Sequence, residues 1–227
     1  MITIDTLTVR AGGRTILDRL TMHLSEGRIH GIAGINGAGK TTLLNALYGF
    51  MPAASGSITR NGRPLRRRET AYLESEHFFY SGMTGRDYLD LIRHYHPSAD
   101  PTPYVRLFAL PLDEEVTRWS TGMKQKLALA AALMQQKEVL LLDEPFNGLD
   151  MEAVYAAQRM IAAAGRAGRT VIVTSHIFPT LEAVADDLFV IDGGQIAGRY
   201  DRAEFPRAAR ELEVFFRRRY EAAFAEK

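Results

Sequence analysis

The sequence contains no cysteine, which excludes disulfides, thiolate metal ligands and cysteine nucleophiles. It also lacks long apolar runs, since the longest uninterrupted one covers residues 127–134, whereas a helix that crosses a bilayer needs about 20 residues. Residues 1–10 alternate between apolar and polar side chains, so we expect no secretory signal there. These absences predict a chain without a membrane span of its own, and they are compatible with a cytoplasmic location.

The sequence has no marked excess of either charge, because 28 basic and 27 acidic residues leave a formal net charge of +1. Such a balance gives no long-range attraction for a polyanion, so we expect no nucleic-acid partner. Lysine is scarce among the basic residues, and Lys40 stands out because it follows a glycine-rich segment.

Short apolar segments alternate with segments of helical periodicity along the chain. Residues 139–142 and 170–174 have the continuous apolar character of strands buried on both faces. This alternation predicts an α/β fold with a mainly parallel central sheet. The expected organisation is one domain, with a core at 1–74 and 137–200, an inserted α-helical lobe at 75–136 and a C-terminal helical tail at 201–227.

Residues 34–41 fit the pattern G-x-x-x-x-G-K-[ST]. An apolar strand pattern precedes them and a helical pattern follows, which is the context in which backbone N–H groups and a helix N-terminus bind phosphates. Lys40 would supply a compact charge to the β- and γ-phosphates, and the Thr41 hydroxyl would coordinate Mg²⁺. The predicted nucleotide-binding residues are Asn36, Gly37, Ala38, Gly39, Lys40, Thr41 and Thr42.

Two carboxylates follow the apolar segment at 139–142. Because ligands of a parallel sheet bind at the carboxyl ends of its strands, Asp143 and Glu144 should lie beside the phosphates. Asp143 suits Mg²⁺, directly or through water, and Glu144 suits a general base that polarises an attacking water. The alternative is a solvated turn after a buried strand.

Three further segments resemble motifs of the ATP-binding cassette (ABC) ATPases. Residues 119–125, W-S-T-G-M-K-Q, resemble the family's signature segment, and residues 148–150, G-L-D, resemble its D-loop. His176, within T-S-H, resembles its switch histidine. The motifs follow the family's order over nearly the whole chain. The sequence therefore resembles the nucleotide-binding subunit of a bacterial ABC transporter, with a signature similar to that of export-type cassettes.

The resemblance implies a P-loop NTPase core, an N-terminal antiparallel β-subdomain and hydrolysis of ATP with Mg²⁺. It implies catalytic roles for Lys40, Glu144 and His176. In this family, two chains enclose two ATP molecules head to tail, and each signature segment contacts the γ-phosphate held by the other chain. The residues that would serve this contact are Ser120, Thr121 and Gly122 in the signature and Asp150 in the D-loop; a plain helix cap is the alternative for Ser120.

The resemblance also implies the partners of the chain. They are a separate transmembrane permease and a second ATPase subunit, in a homodimer or a heterodimer, at the inner face of the cell membrane. The S-T-G-M-K-Q signature favours export, and the transported substrate is not encoded in this chain. The aromatic run at 77–80, H-F-F-Y, is either a contact with the permease or part of the core of the lobe.

The sequence departs from the family pattern at two positions. Ala11 stands where the family usually has an aromatic residue that stacks on adenine, so stacking would come from Arg10 or Arg14, or be absent. Ser75 stands at the position of the Q-loop glutamine, which helps to bind Mg²⁺. Glu74 or Glu76 could replace it as an oxygen ligand, unless both simply face solvent.

These departures keep a second function open, a regulatory ABC ATPase with weak hydrolysis. A non-transport ABC ATPase that acts on ribosomes or DNA is a third, although the single cassette and the balanced charge count against it. The tail from Arg202 is expected to be a solvated capping helix packed by Leu212, Phe215 and Phe216, with a membrane or partner contact as the alternative.

Overall fold

The computed structural model of the chain describes residues 1–225, and the side chains of all of these except residues 215, 216 and 218–225. The predicted packing of Phe215 and Phe216, and the last two residues of the predicted tail, therefore lie outside the described part. None of the helices in that part is long and apolar enough to cross a membrane.

Ten strands and seven α-helices follow one another along the described chain. The strands are β1 (Ile2–Ala11), β2 (Arg14–Leu24), β3 (Ile29–Ala33), β4 (Ser55–Arg60), β5 (Arg63–Pro64), β6 (Thr70–Leu73), β7 (Val139–Leu142), β8 (Thr170–Ser175), β9 (Asp187–Asp192) and β10 (Gln195–Asp201). The helices are α1 (Lys40–Tyr48), α2 (Gly85–Tyr95), α3 (Thr102–Phe108), α4 (Thr121–Met134), α5 (Met151–Arg166), α6 (Phe178–Glu182) and α7 (Phe205–Ala225).

The strands form two sheets. The first is antiparallel, in the order β2-β1-β4-β5, and the second has the order β10-β9-β3-β8-β7-β6. In the second sheet every pair from β9 to β6 is parallel, and only β10 pairs antiparallel with its neighbour. The predicted α/β class, with a mainly parallel sheet and an N-terminal antiparallel sheet, is confirmed.

The parallel sheet separates two apolar cores. Successive side chains of a strand point to opposite faces, so Leu140 and Leu142 of β7 pack with α4 and α5 on one side. Val139 and Leu141 pack on the other side with α1 and the antiparallel sheet. All four side chains are fully buried, which explains the continuous apolar character of this segment.

The region between β6 and β7 contains α2, α3 and α4, as expected for a helical segment inserted there. Thr84 caps α2 by accepting a hydrogen bond from the Asp87 N–H, and Asp87 bonds back to Thr84. Gly85 allows close packing of this helix, since a Cβ there would lie 2.6 Å from the ring of buried Trp119. The division of the chain into a core, a lobe and a tail at the residues given above stays a prediction.

The parallel arrangement brings the loops that carry the motifs to one edge of the sheet. The loop after β3 contains the glycine-rich segment, the loop after β7 contains both carboxylates, and His176 follows β8 directly. Because β3, β8 and β7 are consecutive neighbours, the three loops lie side by side at their carboxyl ends.

Candidate active site

The glycine-rich loop leads directly into α1. Gly39 precedes this helix with φ 108°, and Gly37 has φ 81° with no atom within 4 Å of the place where a Cβ would stand. Both conformations favour glycine, and at Gly37 the loop's backbone faces open space. This is the geometry of a backbone anion site at a helix N-terminus.

Lys40 is the first residue of α1 and is only 6% exposed. Its Nζ donates to the carbonyl oxygens of Gly34 at 2.8 Å and Ile35 at 3.2 Å. It also lies 3.3 Å from Oε1 of Glu144. The ammonium group thus sits between the loop and the carboxylate after β7, and its charge is compensated by that carboxylate.

Asp143 is completely buried at the end of β7. Its Oδ1 accepts a hydrogen bond of 2.7 Å from the hydroxyl of Thr174. Its Oδ2 is buried and has no hydrogen-bond partner among the described residues. A buried carboxylate oxygen without a partner is costly, and a divalent cation is a group that would compensate it.

Glu144 has the backbone angle φ +49°, which is uncommon for a residue other than glycine and is found at functional sites. Its N–H donates to the Thr174 hydroxyl at 2.9 Å. Its Oε2 accepts from the His176 N–H at 3.3 Å and lies 3.0 Å from His176 Nδ1. The carboxylate is thereby fixed between Lys40 on one side and His176 on the other.

The imidazole of His176 is oriented by this contact. An ionised carboxylate only accepts hydrogen bonds, so Nδ1 donates to Glu144 and Nε2 stays available for another partner. The His176 side chain is 38% exposed, so that second nitrogen can reach a ligand at the edge of the sheet. This arrangement suits a group that contacts the terminal phosphate or the attacking water.

The signature segment and the D-loop contact each other within the same chain. Ser120 caps α4, its Oγ accepting from the Met123 N–H at 3.2 Å. A Cβ on Gly122 would lie 2.6 Å from the Gly148 carbonyl oxygen, so only glycine fits there. Ser120 and Thr121 are both exposed, which leaves the N-terminus of this 14-residue helix open to an anion.

Asp150 begins α5 and links it to α4. Its Oδ1 accepts from the Ala153 N–H at 2.8 Å, and its Oδ2 lies 3.2 Å from Lys126 Nζ. The hydrogen bond from Ala153, followed by that from Lys126, lowers the pKa of Asp150. The carboxylate therefore fixes the start of α5 rather than contacting Lys40 or Glu144 of its own chain.

Comparisons with known proteins agree with these features. A family model described as ABC transporter matches residues 17–147. The lantibiotic transport ATP-binding protein SrtF of Streptococcus pyogenes is 31% identical over 228 residues, which cover 96% of this chain and 100% of that protein. The chain belongs to the ABC transporter family. As an ATP-binding subunit of that family, it binds and hydrolyses ATP.

Two further similarities support the assignment to the ABC family. The bacitracin transport ATP-binding protein BcrA of Bacillus licheniformis is 32% identical over 203 residues, covering 84% of this chain and 66% of that protein. A solved structure of an ATP-binding subunit of an ABC transporter superposes with a TM-score of 0.82 at 25% identity, covering 92% of each chain. The predicted family and fold are thus confirmed.

The structure brings some of the predicted residues of this ABC ATPase together and keeps others apart. Glu144 contacts both Lys40 and His176, and Thr174 links Asp143 to the Glu144 backbone. The signature and D-loop residues form a second group around α4 and α5. Thr174 lies in the T-S-H segment, but its role between the two carboxylates was not predictable from sequence, and neither were the contacts of Gln125 and His77.

The three candidates for the Q-loop ligand, Glu74, Ser75 and Glu76, are all exposed just after β6. Burial is the main cause that raises the pKa of Tyr72, and the negative charges of Asp143 and Glu74 raise it further. Ala11, Arg10 and Arg14 are exposed at the turn between β1 and β2, and their role toward adenine stays a prediction.

Proposed function

We propose that this ATP-binding subunit drives the export of antimicrobial peptides through a separate transmembrane subunit. The observation that carries the proposal is the end-to-end similarity to a lantibiotic transport ATP-binding protein. The bacitracin transport relative supports the same class of cargo, and the S-T-G-M-K-Q signature supports export. The intact contacts among Lys40, Glu144 and His176 favour a hydrolysing subunit over a regulatory one.

The proposed hydrolysis uses the contacts already described. Lys40 leaves Glu144 for the β- and γ-phosphates when ATP enters the loop, because a nucleotide offers it more negative charge than one carboxylate does. Glu144 is then free of its ion pair and polarises the attacking water as general base. His176 keeps the carboxylate in place through Nδ1 and meets the γ-phosphate through Nε2.

We propose that Thr41 and Asp143 hold Mg²⁺, directly or through water, with an oxygen of Glu74, Ser75 or Glu76 as an additional ligand. The unpartnered Oδ2 of Asp143 supports this site, since hard cations prefer carboxylate and hydroxyl oxygens. The ion would neutralise charge that develops on the phosphates.

A head-to-tail dimer would complete two active sites. The glycine-rich loop at Asn36 and Gly37 is exposed, and so is the N-terminus of α4 at Ser120. Each of these segments can bind a triphosphate through backbone N–H groups, but only from one side. Binding the γ-phosphate of one chain at the Ser120 end of the other would explain why both stay open to solvent.

The segment after β6 offers a surface for the transmembrane subunit. Phe79 packs on Tyr88 of α2, with ring centroids 5.0 Å apart. Its neighbours Phe78 and Tyr80 point outward, are 77% and 63% exposed, and pair edge to face. Exposed neighbouring aromatic residues are typical of interaction sites. We therefore assign Phe78 and Tyr80 to the permease contact and Phe79 to the packing of the lobe.

A unique cysteine tests this assignment, because the chain has none of its own. The F78C variant, labelled with a thiol-directed photocrosslinker, should form an adduct with a multispanning membrane protein in membranes of the native cells. The R19C variant is the matched control, since the Arg19 side chain is 75% exposed and lies in β2. It should give no such adduct, while both variants keep their ATPase activity.

Cargo is tested in the same cells. Loss of the wild-type gene should raise sensitivity to a panel of lantibiotics and bacitracin, and the E144Q gene should not restore resistance.

In the crosslinking experiment, equal adducts at F78C and R19C would contradict the docking surface. Unchanged sensitivity to every peptide of the panel would contradict the proposed cargo.

A further inference from the structure

Gln125, the last residue of the signature segment, makes a contact that none of the assigned roles uses. It is 5% exposed on the first turns of α4. Its Nε2 donates to the carbonyl oxygen of Pro145 at 3.1 Å and approaches that of Glu144 at 3.5 Å. Its Oε1 lies 2.6 Å from Nε2 of His77. One amide thus connects the backbone beside the catalytic carboxylate with a side chain of the segment after β6.

The donor and acceptor requirements of the partners determine the orientation of the Gln125 amide. Both carbonyls only accept, so the NH₂ group of Gln125 must face Glu144 and Pro145. The amide oxygen is then left for His77, which must donate from Nε2. The donor and acceptor roles are therefore fixed along the whole series from His77 to the Glu144 backbone. No other orientation of the amide satisfies its partners.

The carbonyl groups that Gln125 holds belong to a strained part of the chain. Glu144 has φ +49° and precedes a proline, and residues before proline are restricted further. The orientation of the Glu144–Pro145 peptide helps to set the direction in which the Glu144 side chain leaves the backbone. The Glu144 carbonyl also accepts from the Asn147 N–H at 3.1 Å, so the Gln125 amide adds to that bond at Glu144 and donates to the Pro145 carbonyl as well. Loss of the amide removes part of what fixes this turn, and a displacement of about 1 Å at a catalytic group can cost about 100-fold in rate.

We propose that Gln125 is a positioning residue for the catalytic carboxylate and that His77 orients the Gln125 amide for this task. The proposal rests on the assignment of Glu144 as general base. It places a hydrogen-bonded connection between the catalytic backbone and the residue next to Phe78, on the surface assigned to the permease. His77 and Phe79 also pack together, with ring centroids 6.3 Å apart, so His77 is held by the same aromatic segment.

The first test compares two glutamines of the same helix region. Q125E keeps the size of the side chain but removes the NH₂ donors that hold the two carbonyls. Q135E is the matched control, because Gln135 Nε2 donates only to the carbonyl of Ala131, one turn back in α4. We expect Q125E to lower kcat by about tenfold, which corresponds to about 1.4 kcal/mol in the activation barrier. KM for ATP and the Kd of a fluorescent ATP analogue should change less than about threefold, as expected when a transition-state interaction is lost.

The second test uses His77, so that the proposal stays testable if Q125E does not fold. H77F removes the donor and should lower kcat by a few fold, whereas H77Q restores an N–H donor at the end of the side chain and should recover most of the activity. Equal activities of H77F and H77Q would overturn the role of His77. A Q125E enzyme with wild-type kcat would overturn the role of Gln125. So would a fall in kcat that is accompanied by an equal fold-loss of ATP affinity and by a lowered Tm.

The E144Q variant separates failure of this inference from failure of the proposed function. If E144Q is inactive while Q125E is fully active, the positioning role alone is wrong. If E144Q hydrolyses ATP at the wild-type rate, the assignment of Glu144 as base is wrong, and the positioning role is wrong with it.

Discussion

Thr174 connects the two carboxylates of the active site through a single hydroxyl group. Its Oγ1 donates to Asp143 Oδ1 at 2.7 Å and accepts from the Glu144 N–H at 2.9 Å. The residue is completely buried, so water cannot replace these hydrogen bonds without a rearrangement. The position of both carboxylates therefore depends on one side chain of β8.

Replacing Thr174 with valine should impair hydrolysis more than folding. T174V keeps the shape of the side chain but leaves the buried Asp143 carboxylate and the Glu144 N–H without their partner. We expect kcat to fall by about tenfold and the Mg²⁺ concentration for half-maximal activity to rise. A Mg²⁺ titration of ATPase activity measures both. T174S, which retains the hydroxyl, is the control, and equal Mg²⁺ requirements in the two variants would contradict the role of Thr174.

Single residues differ in how well the sequence predicts them. Lys40 and Asp143 are predictable because a phosphate loop and a strand end constrain them locally, by spacing and by the buried strand before the carboxylates. Thr174, Gln125 and His77 are not, because their partners are 19 to 48 residues away. Which side chains face each other at that separation depends on strand order and helix packing rather than on local pattern.

At the level of elements, the predicted and observed boundaries differ for physical reasons. Local apolar pattern favours a short strand that ends near residue 197, before Gly198, whereas β10 runs to Asp201 by pairing with β9 as far as Asp187. Gly198 and a register shift beside it interrupt the alternating pattern, so hydrophobicity alone ends the strand too early. Similarly, Thr6 with φ 46° and a shift between Ile4 and Leu7 displace the alternation within β1.

The start of α5 gives a prediction about stability. D150A removes both the cap hydrogen bond and the ion pair with Lys126, whereas D150N keeps a capping oxygen. We expect D150A to lower Tm by about 2–4 °C and D150N by less. Thermal unfolding followed by circular dichroism distinguishes them, and identical Tm values for the wild type and D150A would contradict the capping role.

The same carboxylate makes stability depend on pH. The pKa of Asp150 is lowered in the folded chain, so its contribution is complete above its unfolded pKa of about 3.9 and is lost as the pH falls through the folded pKa. The Tm difference between the wild type and D150N should therefore shrink in acid.

The whole molecule presents two exposed segments, the glycine-rich loop and the N-terminus of α4, which we propose as anion sites and which its own fold does not bring into contact. The P-loop group is built on β3, β7 and β8, and the signature group is built on α4 and the start of α5. The account therefore requires a second subunit to complete each ATP site, and it predicts which pairs of mutations fall in the same site.

Tandem fusions of two copies of the chain test this pairing. With K40A in one copy and S120R in the other, both defects fall in one head-to-tail site, and the second site is intact. With both substitutions in the same copy, each site carries one defect. We expect roughly half of the wild-type ATPase activity from the first fusion and almost none from the second. Equal activities of the two fusions would contradict the head-to-tail arrangement.

The most direct test of the account is the fate of ATP on the E144Q variant. Phosphate release and the molar mass in solution, by light scattering, are measured for the wild type and for E144Q with ATP and Mg²⁺. The account predicts that the wild type releases phosphate, whereas E144Q releases almost none and accumulates as a dimer that retains ATP. Phosphate release by E144Q at the wild-type rate, without an ATP-bound dimer, would contradict it.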